Sequence, residues 1–393
     1  MSIAPSGQKE DLFAKQIPLL RPWFGEDEAN AIRDVIKTGW ICQGPKVAEF
    51  ESKIAARVGA KHAVATTSAT SALHLALQCL GLQRDEEVIL PSFTCMANAN
   101  AVIVAGGICR FADIERETYN LDPADVEKRI GPKTRAIMMV DQIGLPADLD
   151  RFRELAQKHN LLLVDDAATA LGAAYKKKPV GGHGVPSCYS FHPRKMITTG
   201  EGGMLVTDDE KLAERACVLR STGASVSDLE RHKAKGALFQ QYFESGYNYR
   251  LTDMQAALGL VQLEKLDRIM ELRATQAALY TGLLAMVEEV SSPKVPPYAT
   301  PAWSSYSIRL TNKAKVSADE VVKRMADRNV SCRRGIQPLH FEPYFAKDDA
   351  MRGLSLPETE SAAKETLFLP IFPGLTQDEQ RTVVAALKES VRG

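Results

Sequence analysis

The chain has 393 residues, too many for one small core and enough for a large α/β domain with a smaller one beside it. Apolar residues make up 45 %, and Lys plus Arg equals Asp plus Glu at 49 each, so the formal net charge is zero. That balance offers no basic excess to grip a phosphate backbone, which argues against nucleic acid as the main partner.

The first twenty residues, MSIAPSGQKEDLFAKQIPLL, carry charges where a signal peptide needs an apolar stretch. No apolar run approaches the roughly 20 residues of a membrane span, so a cytoplasmic, soluble protein with no membrane partner is expected. Between residues 60 and 210, short β-rich runs alternate with helical spacing. AVATT (63–67) precedes the helical SALHLALQCL; then come EVILP, ANANAVIVAG, ICRFADI and RAIMMVD (135–141). LDRFRELAQKH is helical, LLLVDDA (161–167) reads as a buried strand, and CYSFHP and GGMLVTD close the series. Continuous apolar strands alternating with helices predict a mostly parallel sheet covered on both faces.

After Thr252, MQAALGLVQLEKLDRIMELRATQAAL reads as one long amphipathic helix. Proline-rich SSPKVPPYATP (291–301) follows, then elements of a small α+β unit. The division falls near residue 270: a large α/β domain over 1–270, its N-terminal arm included, and a small α+β domain over 271–393. The basic YKKKPVGG (175–182) reads as a solvated hairpin. Seven cysteines (Cys42, Cys79, Cys95, Cys109, Cys188, Cys217 and Cys332) form no CxxC pair and no Cys/His cluster, so free thiols and no metal are expected.

The chemistry concentrates at two places. VDDAATALG (164–172) ends a strand in carboxylates, and strand C-termini are where ligands bind in open α/β sheets. Successive strand residues face opposite ways, so Asp165 and Asp166 do not form an acid/base pair with each other. Lys195 sits in the loop SFHPRKMITTGEGGMLVTDD (190–209), between strand-like runs. A pyridoxal 5'-phosphate (PLP) site needs a lysine, an acid for the ring nitrogen and an anion cradle. Asp166 suits the acid. TTSATSAL (66–73) suits the cradle, as a hydroxyl-rich turn into a helix N-terminus, although an ordinary cap by Ser68 or Thr70 satisfies the same residues.

SFHPRK, TTGEGG and GYNYR together resemble the DegT/DnrJ/EryC1/StrS family of PLP-dependent sugar aminotransferases, a fold-type-I branch of the aspartate aminotransferase superfamily. The likeness runs from IPLLRPWFGEDE to LPIFPGLT. It implies a fold-type-I PLP transferase in which Lys195 forms the Schiff base and shuttles the proton, and Asp166 pairs with the ring nitrogen. It also implies that Ser190, Thr70 and the backbone at Ala69 and Ser71 hold the phosphate. Asn248 reaches the phosphate of a neighbouring subunit, so a homodimer with shared active sites is expected.

The chain departs from that pattern at several points. Ala69 replaces a frequent Gly. Cys95 replaces the aromatic that stacks on the cofactor, with Phe93 or a thiol contact as substitutes. Thr169 stands where Gln or His commonly sits by the ring hydroxyl, and the frequent HLYG motif reads DQIG (141–144). Substrate contacts are expected from Trp40, with core packing as the competing explanation, and from His192, also a minor candidate base. His340 belongs to a segment lining the substrate entrance. Arg333 and Arg334 either meet a diphosphate or carboxylate or form a solvated pair, and Arg334 is the one assigned to the substrate.

The resulting expectation is transfer of an amino group from glutamate or glutamine to a nucleotide-linked keto sugar, at C4 by the likeness of ITTGEGG. The alternatives are a sugar dehydratase using the pyridoxamine form, whose relatives replace the lysine, a keto-polyol aminotransferase, and an idle regulatory homologue.

Overall fold

The computed structural model describes residues 13, 15–224, 241–242, 244–347 and 351–392. In chain order the strands are β1 His62–Thr66, β2 Glu87–Pro91, β3 Ile108–Ala112, β4 Thr134–Val140, β5 Leu162–Asp166, β6 Ala174–Tyr175, β7 Lys178–Pro179, β8 Ser187–Ser190 and β9 Gly203–Thr207. After these come β10 Val290–Ser291, β11 Ala299–Thr300, β12 Tyr306–Leu310, β13 Arg333–Arg334 and β14 Thr366–Leu369.

The main sheet has the order β1-β9-β8-β5-β4-β2-β3. Its pairs β2–β3, β2–β4, β4–β5 and β5–β8 are parallel, and β9 runs antiparallel to both β1 and β8. The sheet is therefore mostly parallel, as the unbroken apolar runs predict. Helices cover both faces, so neighbouring residues of one strand feed different cores. Val64 and Leu205 pack with Leu75 and Val88, while Ala65, Met204 and Val206 pack with Phe50 and Phe191. Because strand ends meet helix starts along one edge, the C-terminal ends of β4, β5 and β8 open onto a common crevice.

Helix Ala69–Cys79 begins where Ser68, in extended backbone, accepts a hydrogen bond from the Ser71 amide. Helix Asp253–Glu264 begins with a capping box of Thr252 and Gln255. The single long helix expected after Thr252 is two helices, Asp253–Glu264 and Leu266–Leu284, joined at Lys265. Neither Gly nor Pro marks the break. There the Lys265 amine reaches the buried Glu28 carboxylate at 2.6 Å, a tertiary contact that local spacing does not encode.

The C-terminal part carries the antiparallel sheet β10-β12-β14-β13. Helix Leu266–Leu284 serves both parts. Leu266 and Ile269 pack under the main sheet, and Ala277, Tyr280 and Leu284 pack on the smaller one. The division expected at 270 thus falls inside a continuous helix. The N-terminal arm was expected with the large domain, but Ile17 packs in the smaller core. Its amide donates to Asn329 O at 2.8 Å, and its carbonyl accepts from the Ser331 amide at 2.9 Å, so backbone pairing holds the arm there.

The basic stretch at 175–182 is a hairpin of β6 and β7, turned by Lys176 and Lys177 at φ 47° and 68°. The seven cysteines are free thiols. Among the described residues no helix is long and apolar enough to cross a membrane, and no group of three or more metal-ligating side chains forms.

Candidate active site

β5 ends on Asp166, 5 % exposed, at the crevice edge of the sheet. Its Oδ1 accepts the Ala168 amide at 3.0 Å. Asp165, one residue earlier, turns to the other face, where its Oδ2 accepts the Ser187 hydroxyl at 2.9 Å. Lys195 lies in the loop joining β8 to β9, and its amide closes a turn onto His192 O at 2.8 Å. Phe191 anchors the rest of that loop: its carbonyl accepts the Thr199 amide at 3.0 Å and the Thr198 hydroxyl at 2.8 Å.

The amine of Lys195 and the carboxylate of Asp166 interact across the crevice. Burial pushes the Asp166 carboxyl above its ordinary range, while the Ala168 amide, Lys195 and Asn98 pull it back. Burial likewise pushes the Lys195 amine below its ordinary range, and Asp166 opposes that shift. An amine that gives up its proton more readily is present in larger part as the free base, the form that attacks an aldehyde, and the facing carboxylate attracts its protonated form. Asn98, from helix Met96–Val104, turns its amide to Asp166. That amide is otherwise without a partner among the described residues, although Asn98 is fully buried. Sequence reading passed over Asn98; the available signal was an amide on the apolar face of an alanine-rich helix.

The anion cradle is built from three strands and one helix start. Thr66 on β1 and Ser190 on β8 both pair with Gly203 on β9. A Cβ at Gly203 would collide with the Ser68 carbonyl and the Ala69 amide nitrogen, so glycine lets the Ser68–Ala69 turn lie against β9. Ser71 shares its hydroxyl with Thr67 and Ser68 at 3.0 and 2.9 Å. As the first two helical residues, Ala69 and Thr70 have amides with no intrahelical acceptor, donors of the kind that suit an anion. Ala69 is itself helical, so its Cβ is tolerated where the family often has Gly.

Several expected contacts lie elsewhere. The Thr169 hydroxyl, expected at a cofactor hydroxyl, donates to Asp141 O at 2.7 Å and accepts the Gly144 amide at 3.0 Å. It therefore ties down the 141–144 turn. Phe93 is fully buried and stacks on Tyr119 at 5.6 Å between centroids, so it does not replace the missing aromatic. Cys95 is exposed at the start of helix Met96–Val104 and interacts with Lys195, at the position expected for that aromatic.

His340 does not line an entrance. It is 5 % exposed, and its Nδ1 lies 2.7 Å from Ser92 Oγ. Arg334 turns away from the crevice to Asp319 at 3.1 Å and to Ala363 O. Arg333, its neighbour on β13, stacks over Phe368 and interacts with Arg194 and Cys95 on the site side. The two-residue strand points them apart. The His192 ring accepts the Arg194 amide at 3.2 Å and so shapes the lysine loop. The half-buried Trp40 donates its indole N–H to Gln43 O at 3.1 Å and packs on Gly44, which favours the packing explanation. Asn248 is exposed, between Tyr247 and Tyr249, which stack on each other at 5.1 Å.

A half-buried lysine facing a buried aspartate at the C-terminal end of a mostly parallel sheet, beside a helix N-terminus, is the arrangement a PLP-dependent transferase of fold type I requires. Residues 22–388 match the DegT/DnrJ/EryC1/StrS aminotransferase family, and the chain belongs to it. It is 35 % identical over 379 residues to the spore coat polysaccharide biosynthesis protein SpsC of Bacillus subtilis (strain 168), covering 96 % of this chain and 97 % of SpsC. Among solved structures, DesV of S. venezuelae in complex with a ketimine intermediate shares 32 % identity at a TM-score of 0.88, covering 97 % of this chain and all of that one. DesI in the presence of its TDP-sugar product shares 28 % identity at a TM-score of 0.86, covering 96 % and 93 %. The protein is a PLP-dependent transaminase of a sugar aminotransferase family, and its cofactor is pyridoxal phosphate. The residues present fit that group: an amine for its aldehyde, a carboxylate for its ring nitrogen and free helix amides for its phosphate.

Proposed function

We propose that the chain transfers an amino group from glutamate or glutamine to a nucleotide-linked keto sugar, at C4, with Lys195 and Asp166 as catalytic residues. The observation that carries this reading is the half-buried Lys195, whose amine faces the buried Asp166 carboxylate beside the Ala69–Thr70 amides. When bound, PLP supplies an electron sink for the electrons left at the donor Cα. Lys195 Nζ takes the proton from that Cα. Asp166, with Asn98 beside it, holds the positive charge of the ring nitrogen. The amides of Ala69 and Thr70 and the hydroxyls of Ser71 and Ser190 bind the phosphate, and Asn248 of a second copy completes the cradle. Cys95 borders the cofactor, and Arg333 is the cation available to an anionic part of a substrate.

The nucleotide-linked acceptor rests on the likeness to DesI and its TDP-sugar product, and C4 rests on the ITTGEGG loop. Two domains divided near residue 270 and a cytoplasmic location belong to the same reading. The test is spectroscopic. The PLP-loaded protein shows the visible band of a lysine-bound cofactor, L-glutamate removes it, and a nucleotide 4-keto sugar restores it. Lys195→Ala forms no such band. Failure of the unaltered protein to form the band would overturn the catalytic assignment, and restoration by 3-keto sugars alone would overturn C4.

A further inference from the structure

The DQIG segment leaves an acid, Asp141, that the proposed reaction does not use. It follows β4 directly, and the register pairs Met139 with Asp165 and Val140 with Asp166. Residues two apart on a strand share a face, so Asp141 stands on the side of Met139 and Asp165, behind Asp166. Asp141 is 4 % exposed and Asp165 7 %. Asp141 Oδ1 accepts the Ala147 amide at 2.8 Å and Asp165 Oδ2 accepts Ser187. The other oxygens, Asp141 Oδ2 and Asp165 Oδ1, are buried without a partner among the described residues. Both acids line one water-sized cavity together with Tyr175 and His183.

No group facing this cavity supplies a positive charge. Neither Lys nor Arg is among the described residues that line it. Tyr175 donates its hydroxyl to Asp148 at 2.8 Å, and Tyr189 donates to Val180 O at 2.5 Å. His183 lies against Lys178 O, and burial, the largest influence on its ring, favours the neutral form. The Cys188 thiol is held protonated by burial. Beyond the lining, Asp166 acts on both acids with the same sign and Lys195 sits past it, Asp148 takes the Tyr175 hydroxyl, and Arg153 reaches the outer wall by donating to His183 O. Two carboxylates taken out of water with no cation cannot both ionise.

We propose that Asp141 and Asp165 share one proton and act together as a positioning pair behind Asp166. The proton gives the two orphaned oxygens a hydrogen bond, directly or through a water in the cavity. It also caps the charge behind Asp166 at one. Asp141 stands where the HLYG form of this segment has histidine, so in this chain an acid provides the exchangeable proton. Burial raises both carboxyls, Asp165 to about 7. The folded pair thus holds at least one proton more than the unfolded chain between the ordinary carboxylate range and about pH 7, where Asp165 releases its own. The stability from that proton is present at low pH and lost as pH rises to the top of this window.

The test uses the full chain loaded with PLP. The infrared spectrum at about pH 6 should show a protonated-carboxyl stretch that weakens as pH rises through about 7. Asp141→Asn and Asp165→Asn each leave one buried acid that burial keeps protonated and uncharged, so each should shift the frequency of the stretch, because the proton loses its carboxylate partner. Asp141→His, which restores the histidine of the HLYG form, offers a base for that proton and should remove the stretch while keeping the wild-type fold by circular dichroism. The pH midpoint of the visible cofactor band should shift downward in both Asn variants, because one negative charge near the bound cation is lost. Absence of the carboxyl stretch from the unaltered protein would overturn the proposal. So would a stability that depends on sodium or potassium chloride and not on tetramethylammonium chloride, which would mean that a cation holds the pair. Only the visible-band readout rests on the proposed catalytic roles; the infrared and thermal readouts stand without them.

Discussion

Lys195 and Asp166 set each other's charge, and each is legible in the other's titration. Asp166 holds the Lys195 amine up against the burial that pushes it down. Replacing Asp166 with the isosteric Asn removes that support. The pH midpoint at which the cofactor-free protein condenses with added PLP should therefore move to lower pH, read by the growth of the visible band. Turnover should fall on the order of a hundredfold, as when one aimed electrostatic group is lost from a dry site. An unchanged midpoint would show that the two groups are not coupled. The pairing was legible in sequence, because a strand ending in Asp and a lysine loop between strands limit where each can sit. Arg333 and Arg334 were not separable that way. Which of two adjacent arginines faces the crevice is decided by the pairing of Arg333 with Phe368 on β14, a partner more than thirty residues away. His340 and Thr169 escaped for the same reason, since the Ser92 hydroxyl and the Asp141–Gly144 turn that engage them come from distant segments.

At the scale of the element, the strands announce themselves because helices cover both faces of the sheet and leave no polar alternation. The break at Lys265 is silent, because the apolar spacing continues through it and the Glu28 carboxylate that Lys265 meets there lies 237 residues earlier. The cradle is an element-level device as well. It depends on one residue of β9 having no side chain, so that the start of helix Ala69–Cys79 can lie against the strand. In Gly203→Ala the new methyl meets the Ser68–Ala69 peptide, and backbone cannot step aside as a flexible side chain does. The variant should lose about 1–3 kcal/mol of stability. It should also release cofactor on dialysis faster than Ser68→Ala, which costs a single cap of about 1 kcal/mol. Thermal melts and residual visible absorbance after dialysis give both numbers. Equal retention by the two variants would show that the approach of the Ser68–Ala69 turn to β9 does not shape the phosphate site.

At the scale of the whole molecule, helix Leu266–Leu284 carries both cores, and the arm at Ile17 ties the chain's start to its C-terminal part. Asn248 lies exposed, between the stacked Tyr247 and Tyr249. His74, whose Nδ1 lies 3.1 Å from the Tyr249 hydroxyl, fixes that stack to helix Ala69–Cys79. An asparagine presented outward from a rigid support is suited to complete a symmetry-related site, and two-fold symmetry then makes the exchange mutual. This can be decided by mixing two defective proteins. Lys195→Ala lacks the amine. Asn248→Asp puts a negative charge where a phosphate should bind and repels it. Each homodimer should be nearly inactive. In a hybrid of the two, one site takes its amine from the Asn248→Asp chain and its asparagine from the Lys195→Ala chain, and is whole, while the other carries both defects. Random reassortment of equal amounts should restore about one quarter of wild-type activity, since half the dimers are hybrids with one working site each. If Asn248 instead serves its own chain's site, every site in the mixture keeps one defect and no activity returns.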